Sequence, residues 1–329
     1  MTVLVTGGAG YIGSHMVLAL IGAGERVVVL DDLSTGFREA VHPKAGLVIG
    51  DVADEKLVGS LIREHKIDAV IHFAAKIVVP DSVTDPLGYY LANTVKTRAL
   101  LAAVVASGVR HLVFSSTAAV YGNPAENPVG EDAKLSPMSP YGNSKLISEW
   151  MLRDVANAYD FHYVALRYFN VAGADPEGRT GQSTKGATHL IKVACETASG
   201  KRNRMSVFGT DYPTPDGTCI RDYIHVSDLV AAHLDALRYL RAGGESLVLN
   251  CGYGRGFSVL EVIDTVKRVS GKDFPVEIVG RRPGDPAAII ARADNIRQKL
   301  GWQPQYDDLA MIVSHALAWE DKLKDRSLA

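Results

Sequence analysis

The segment Val3-Leu-Val-Thr-Gly-Gly-Ala-Gly-Tyr-Ile-Gly13 constrains this chain more than any other. Val3 to Thr6 reads as a short buried strand. Gly7, Gly8, Gly10 and Gly13 follow at once, and an apolar pattern of helical period runs from Tyr11 to Ala23. Strand, glycine turn and helix in that order make a cradle for a pyrophosphate. The first glycines permit the tight turn, and Gly10 lets backbone N–H groups approach phosphate. Gly13 lets the helix lie close to the strand, and the helix N-terminus presents partial positive charge. Glycine-rich turns also simply end strands, so the motif draws its force from the elements on either side. A second strand, Arg26 to Leu30, ends in Asp31, about twenty positions beyond the glycines, where a carboxylate accepts from a ribose hydroxyl pair. That carboxylate repels a 2′-phosphate, so NAD is favoured over NADP. Arg38 is the nearby counter-argument, as a phosphate ligand or as a solvated loop residue.

Strands and helices go on alternating: strands at Leu47–Gly50, Ala69–Phe73, His111–Ser115 and Tyr163–Arg167, with helices from Asp54 to His65, Pro86 to Ser107 and, capped by Ser139 with Pro140 in its first turn, on to Tyr159. The strands are apolar throughout, as a parallel sheet buried on both faces requires. This predicts an α/β fold, a doubly wound parallel Rossmann sheet over residues 1–170. Its ligand crevice lies at the strand ends Gly7, Asp31, Asp51, Phe73, Ser115 and Tyr168. After Asn170 the alternation loosens. A helix from Thr188 to Ser199, one from Ser227 to Leu240, a strand at Leu247–Asn250 and helices near Ser258–Ser270 and Asp307–Lys324 predict a smaller substrate-binding lobe over residues 171–329. A segment near 220–240 returns to the first lobe.

Formal charge is nearly balanced, with Lys+Arg 35 against Asp+Glu 37 in 329 residues, and no basic stripe stands out. Nucleic acid and membrane surfaces are therefore poor partners. The first strand leaves no room for a signal peptide, and no apolar run has spanning length. Cys195, Cys219 and Cys251 lie far apart, as reduced, buried thiols of a cytoplasmic protein do. The ten histidines lack ligand-like spacing, so no metal site is expected.

Tyr141-Gly-Asn-Ser-Lys145 opens the helix that Ser139 caps, and residues four apart share a helix face. A free phenol, with a pKa of about 10, is a poor base at neutral pH. Lys145 and a positive nicotinamide ring would stabilise the phenolate and lower that value. Tyr141 could then take a hydroxyl proton as hydride leaves the attached carbon, and Lys145 could hold the nicotinamide ribose. By chance alone such a pair is two exposed helix residues. Downstream of a dinucleotide cradle it reads as catalytic.

Gly7–Gly13, Asp31, Tyr141 and Lys145 together resemble the extended short-chain dehydrogenase/reductase superfamily. Within it, the chain is similar to the UDP-glucose 4-epimerase (UDP-galactose 4-epimerase) family. The stretches carrying that likeness are Gly7–His15, Phe114-Ser-Ser-Thr-Ala-Ala-Val-Tyr-Gly122, Leu166-Arg-Tyr-Phe-Asn170, Asp216-Gly-Thr-Cys-Ile-Arg-Asp-Tyr-Ile-His-Val226 and Arg281-Arg-Pro-Gly-Asp285. The resemblance implies that Tyr141 removes the C4 hydroxyl proton of a UDP-sugar as C4 gives hydride to NAD. The 4-keto sugar then presents its other face and both are returned. Thr117, where the family usually has Ser, offers a hydroxyl between substrate O4 and the phenol. Related dehydratases carry Asp-Glu directly after the active-site Thr. Here Ala118 and Ala119 stand there and can move no proton.

The resemblance also implies NAD contacts at Gly7, Gly10, Tyr11, Ile12, Gly13, Asp31, Asp32, Leu33, Ser34, Thr35, Gly36, Asp51, Val52, Phe73, Ala74, Ala75, Asn93, Tyr141, Lys145 and Phe169. Asp51 could instead serve a turn, and Phe73 and Phe169 the core. Counting from Phe73 puts a cofactor- and sugar-contacting lysine at Lys76; counting back from Ser82 puts Ile77 there, with Lys76 solvated. For the substrate, Arg221 and Arg282 match diphosphate-binding arginines, which suit phosphate oxygens by their bidentate geometry. Asn170, His189 and Leu190 match substrate positions. Asp285 matches a ribose carboxylate, and Phe208 lies beside uracil. Arg221 could otherwise pair with its neighbour Asp222, and His189 could be a packed or solvated histidine. Ile289 falls where some relatives place a bulky Tyr, and a smaller residue could admit an N-acetyl sugar. The helices Pro86–Ser107 and Tyr141–Tyr159 carry more apolar residues than one buried stripe needs. They predict a homodimer through these two helices, as relatives use, or else burial within one chain. Two rival readings stay open: a 4-epimerase of UDP-N-acetylglucosamine or UDP-xylose, and a catalytically silent NAD-sensing module.

Overall fold

A computed structural model describes residues 1–282 and 284–328, with side chains through residue 324 of the last helix. The first half runs β1 (Thr2–Thr6), α1 (Tyr11–Gly22), β2 (Arg26–Asp31), β3 (Gly46–Ile49), α2 (Glu55–His65), β4 (Ala69–His72), α3 (Val79–Thr84), α4 (Pro86–Tyr90), a π-helical segment (Leu91–Val95), α5 (Lys96–Ala106), β5 (His111–Thr117), α6 (Pro140–Ala158) and β6 (His162–Tyr168). The second half runs β7 (Asn170–Ala172), α7 (Leu190–Ala198), β8 (Met205–Phe208), β9 (Ile220–His225), α8 (Val226–Arg241), β10 (Leu247–Cys251), β11 (Gly256–Ser258), α9 (Val259–Ser270), β12 (Val276–Val279), β13 (Ala288–Ile289), α10 (Asp294–Leu300) and α11 (Leu309–Leu328).

Seven strands pair in parallel in the order β10-β6-β5-β4-β1-β2-β3. Successive side chains of each strand point to opposite faces, and both faces are packed. Val3, Val5, Val27 and Val29 meet Met16, Val17 and Leu20 of α1 together with Leu229 and Ala236 of α8. Leu4, Val28 and Leu30 meet Val58 and Leu61 of α2 and Leu100 and Val104 of α5. The chain winds outward from β1 to β3, then returns past β1 to start again at β4. The carboxyl ends of β1 and β4 therefore flank the switch point where a ligand crevice opens.

Local signals set most boundaries. The Asp54 carboxylate accepts from Lys56 and Leu57 N–H, the Ser139 hydroxyl accepts from Gly142 N–H, and Ser258 forms a reciprocal capping box with Glu261. Four features depart from the sequence expectation. The helix foreseen from Pro86 to Ser107 is divided by the π-helical segment, and α3 precedes it. Leu190, not Thr188, begins α7. His225 rather than Ser227 caps α8, because the His225 ring accepts from Ser227 N–H at 3.0 Å. The strand Leu247–Cys251, placed by sequence in the smaller lobe, is the seventh of the large sheet beside β6. The return segment thus comprises α8, packed on α1, β5 and β6, and β10 after it.

The rest of the second half builds a mixed four-stranded sheet, in which β9 takes β7 and β13 in parallel and β11 antiparallel, and a parallel pair β8–β12. The three cysteines are buried and unpaired. No helix among the described residues is long and apolar enough to cross a membrane.

Candidate active site

The loop after β1 is built for close approach. Gly7 has φ +72°, and a Cβ there would stand 2.6 Å from the backbone nitrogen of Ala74. A Cβ on Gly13 would stand 2.1 Å from the Gly7 carbonyl oxygen, so helix and strand touch through their backbones. Gly10 differs: its Cβ would meet only that carbonyl, at 3.3 Å, and otherwise faces open space. This is the cradle a pyrophosphate needs. Asp31 stands beside it, buried, its two carboxylate oxygens accepting from Ala9 and Leu33 N–H at 2.9 Å each. Burial raises its pKa and those two N–H groups oppose the rise. Each oxygen keeps a lone pair for a ribose hydroxyl. Leu33 is in the left-handed region at φ 57°, and Asp32 turns the segment by accepting from Ser34 N–H at 2.9 Å. Gly36 then packs on Ala9, so residues Asp32, Leu33, Ser34, Thr35 and Gly36 close over the glycine loop. Arg38 is exposed.

Further expected contacts lie at neighbouring strand ends. Asp51 accepts from Ala53 N–H at 2.9 Å and pairs with Lys96. Burial alone would raise its pKa, but the Lys96 ammonium holds it below the usual carboxylate range. It thus serves a turn, as the alternative had it, while standing where β3 opens onto the crevice, next to buried Val52. The Phe73 ring lies tilted against that of His233 with centres 4.9 Å apart, and Ala74 lies under Gly7, followed by Ala75. The Tyr11 hydroxyl donates to the Gly173 carbonyl at 2.7 Å, tying the start of α1 to the loop after β7, while Ile12 packs on the core. Asn93 lies in the π-helical segment, a distortion that recurs at functional sites. Its amide bonds both backbone groups of Lys76, at 2.8 and 2.9 Å, and the Ser144 hydroxyl of α6 at 3.1 Å. The Lys76 ammonium itself pairs at 3.0 Å with the exposed Asp85 carboxylate.

Tyr141 emerges in the first turn of α6 with its phenol facing the Thr117 side chain at the end of β5. The Thr117 hydroxyl accepts from Ala119 N–H at 3.1 Å. One turn on, the buried Lys145 ammonium donates to the Ser115 carbonyl at 2.8 Å and stands 4.8 Å from the Phe114 ring centre. Burial pulls Lys145 down to about 7, opposed by Glu149. The expectation joined Lys145 to a positive nicotinamide ring; among the protein's own groups, Thr117 alone lowers the phenol pKa. Burial pushes Tyr141 up to about 12, with the Thr117 hydroxyl opposing and Tyr89 adding to the rise. The ammonium is bonded to a carbonyl, and desolvation of the ring dominates.

The residues expected to meet substrate gather on the far wall. Arg221 on β9 lies 3.8 Å from Asp285, and Arg282 donates to the other Asp285 oxygen at 3.1 Å while its guanidinium covers Phe208 at 4.2 Å. Asp222 is not the partner of Arg221. It points the other way and accepts from Tyr253, Gly254 and Ala291 N–H. Asn170, His189 and Leu190 line one cleft with Gln182 and Tyr223. His189 Nδ1 accepts from Gln182 at 3.0 Å, and burial lowers its pKa, which leaves a neutral ring with Nε2–H to donate. Phe169 packs at the junction of two apolar clusters, and Ile289 packs with Ala118 and Leu146. Among the described residues, no group of three or more potential ligands could hold a metal.

The model of the family described as NAD dependent epimerase/dehydratase matches residues 3–252. The chain belongs to the NAD dependent epimerase/dehydratase family. Among members of this family, the UDP-glucose 4-epimerase of Azospirillum brasilense is 57% identical over 322 residues, 98% of this chain and 92% of the relative. The crystal structure of UDP-glucose 4-epimerase from Brucella ovis in complex with NAD superposes with a TM-score of 0.94 at 44% identity, covering 96% of this chain and 97% of that one. The UDP-Glc/GlcNAc 4-epimerase of Campylobacter jejuni gives 0.85 at 48% identity, covering 98% and 99%.

Sequence reasoning passed over Glu149, one helical turn beyond Lys145, and its partner Arg167. The signal was present: an acidic residue four positions beyond Lys145 on a helix face otherwise buried.

Proposed function

We propose that the protein is an NAD-dependent 4-epimerase that interconverts UDP-glucose and UDP-galactose through a transient 4-keto sugar. The observation carrying this reading is the buried Tyr141–Thr117 pair at the mouth of a dinucleotide cradle, with only Ala118 and Ala119 after Thr117. An acid and a base to divert the ketone are missing from that position, so the chemistry runs back to an alcohol. Bound NAD supplies a hydride acceptor and donor, and the positive charge that favours phenolate. Tyr141 takes the O4 proton and returns it, and Thr117 holds O4 against the phenol. Lys145 supplies a cation one turn below the phenol. Arg221 and Arg282 hold the diphosphate, with Asn170 and the His189 Nε2–H as further donors. Asp285 accepts from the uridine ribose, and Phe208 offers a face to uracil.

Two further features extend the reading. Leu87, Leu91 and Val95 recur every four residues and are exposed, as is Trp150 of the adjoining α6. They suit a homodimer that buries both helices against their two-fold copies; Leu100, Leu101, Val104 and Leu146 are already buried in the monomer. The unpaired, buried thiols suit a reducing cytoplasm. A second reading, a pocket that also takes UDP-N-acetylglucosamine, is favoured by Ile289, which pairs with Arg221 across β9–β13 beside the Ala118 turn.

The test is direct. Purified protein is incubated with UDP-galactose and, separately, with UDP-N-acetylglucosamine, without added reductant, and the 4-epimers are measured. Tyr141→Phe keeps the ring but not the proton carrier and should lower turnover by about 10²- to 10⁴-fold with NAD still bound. Unchanged activity in that variant would revive the NAD-sensing module and end the proposal.

A further inference from the structure

Lys145 does not stand alone on its helix. Tyr141, Lys145 and Glu149 are spaced by four, so they project from one face of α6, and all three are buried. Both oxygens of Glu149 are hydrogen-bonded. Arg167 of β6 grips it bidentately, Nε to Oε1 at 2.9 Å and Nη2 to Oε2 at 2.6 Å, and the Ser116 hydroxyl donates to Oε1. Arg167 in turn donates from Nη1 to the Tyr121 hydroxyl at 3.0 Å, which donates to Asn250 at 2.7 Å. A buried ion pair contributes little net stability over well-packed apolar residues, so its presence beneath a catalytic helix asks for another reason.

The groups facing Lys145 supply one. From α6 they are Tyr141 and Glu149. From β5 they are the Ser115 carbonyl and the Phe114 ring, and from β4 His72, which burial and Lys145 itself keep neutral, at about 3. From β6 come Arg167 and Tyr168, whose hydroxyl bonds the Ser115 side chain. Glu149 is the single acid among these groups. Left free, a carboxylate four residues from a lysine would draw the ammonium to itself. Arg167 opposes this by holding the carboxylate in a bidentate grip, so Glu149 acts on Lys145 through space and leaves the ammonium on Ser115.

Resting on the epimerase reading above, we propose that Glu149, clamped by Arg167 and Ser116, is a positioning residue for the reaction: it keeps Lys145 charged and seated on the Ser115 carbonyl beneath Tyr141. Burial pulls the lysine toward neutrality and Glu149 opposes it.

The experiment compares Glu149→Gln, Glu149→Asp and the double variant Glu149→Gln/Arg167→Met with wild type. Carbon-13 NMR titration of the lysine Cε signals, assigned with Lys145→Arg, reads Lys145 without reference to turnover. The kcat profile with pH and the KM for UDP-galactose are measured alongside. In Glu149→Gln the Lys145 midpoint and the alkaline limb of kcat both move down by about one pH unit, a tenfold loss above the new midpoint. KM stays within about twofold, because the group acts on the transition state. Glu149→Asp, which keeps the charge, restores both. The double variant removes Arg167 together with its partner, leaves no unpaired guanidinium and carries the test if the single one does not fold; its limb stays low. A double variant with the wild-type midpoint and limb would show that the pair only packs, and would overturn the proposal. A wild type that titrates as described but interconverts no sugar would sink the epimerase reading and leave the coupling between Glu149 and Lys145 standing.

Discussion

Gly7, Gly10 and Gly13 share one loop but do different work, and one added methyl group at each should separate folding from nucleotide binding. At Gly13 the new Cβ would lie 2.1 Å from the Gly7 carbonyl oxygen and 2.7 Å from Gly8 Cα, both backbone atoms that cannot turn aside. Helix α1 must then back away from β1, at a cost of about 1–3 kcal/mol for overpacking. At Gly7 a contact of 2.6 Å to Ala74 adds to φ +72°, and the left-handed backbone contributes about 1–2 kcal/mol more. At Gly10 the methyl meets only one oxygen at 3.3 Å, so Gly10→Ala should stay within about 0.5 kcal/mol of wild type. Its methyl instead fills the open side of the cradle. Urea unfolding with and without NAD reads both effects, since ligand at about 100 times its Kd stabilises by about 2.7 kcal/mol. Gly13→Ala should start lower than wild type, whereas Gly10→Ala should start level with it and lack the NAD-dependent rise. Full stabilisation of Gly10→Ala by NAD would refute the placement of the phosphates. Equal stability of Gly13→Ala and Gly10→Ala would refute the packing argument.

Lys145 makes stability depend on pH. Its folded pKa, about 7, lies below the unfolded value, so the folded chain bears the cost of a buried cation in full below that pH and is relieved as pH rises toward about 10. Ligand-free wild type should gain about 2–3 kcal/mol relative to Lys145→Met between about pH 6 and about pH 9 in urea unfolding, and a flat difference would contradict the burial. Arg221→Lys keeps the charge but loses the planar fork. It should raise KM for the UDP-sugar about tenfold, about 1.4 kcal/mol, without loss of bound NAD. Leu91→Glu places a charge in the exposed apolar row and should give a monomer by analytical ultracentrifugation; a dimer retained at micromolar protein would exclude that face.

What the sequence disclosed follows from how local each signal is. β1, β2 and β4 are buried on both faces and read as apolar runs, and the caps Asp54, Ser139 and Ser258 act within three residues. The smaller lobe lacks such signals. β9 runs Ile-Arg-Asp-Tyr-Ile-His because it carries site residues, and its partners β7, β11 and β13 have two or three residues each. Nothing in Leu247–Cys251 distinguishes a strand of one sheet from a strand of the other. The cap of α8 depends on a histidine ring that is itself held by His315, ninety positions away. The motifs named residues that the fold brings together, but the balance of burial and charge around them is not a local signal. The direction of the Tyr141 shift depends on how completely the ring is desolvated, which only tertiary packing decides.

The neighbours Arg221 and Asp222 show why adjacency in sequence misleads within a strand. Consecutive side chains of β9 face opposite ways, so an ion pair between them would require one to leave its own side of the sheet. Arg221 faces the site, near Asp285. Asp222, fully buried, gathers three N–H groups from the turn after β10 and the segment after β13, and burial raises its pKa to about 6. That carboxylate binds together the wall on which Ile289 stands. Its protonation would weaken three backbone hydrogen bonds without touching a ligand. Burial of the charge outweighs those three bonds, and the folded value lies above the unfolded one of about 4, so the folded chain takes up this proton first. Relative to Asp222→Asn, the wild type should gain about 2–3 kcal/mol in urea unfolding as pH falls from about 6 to about 4, and a flat difference would contradict the burial.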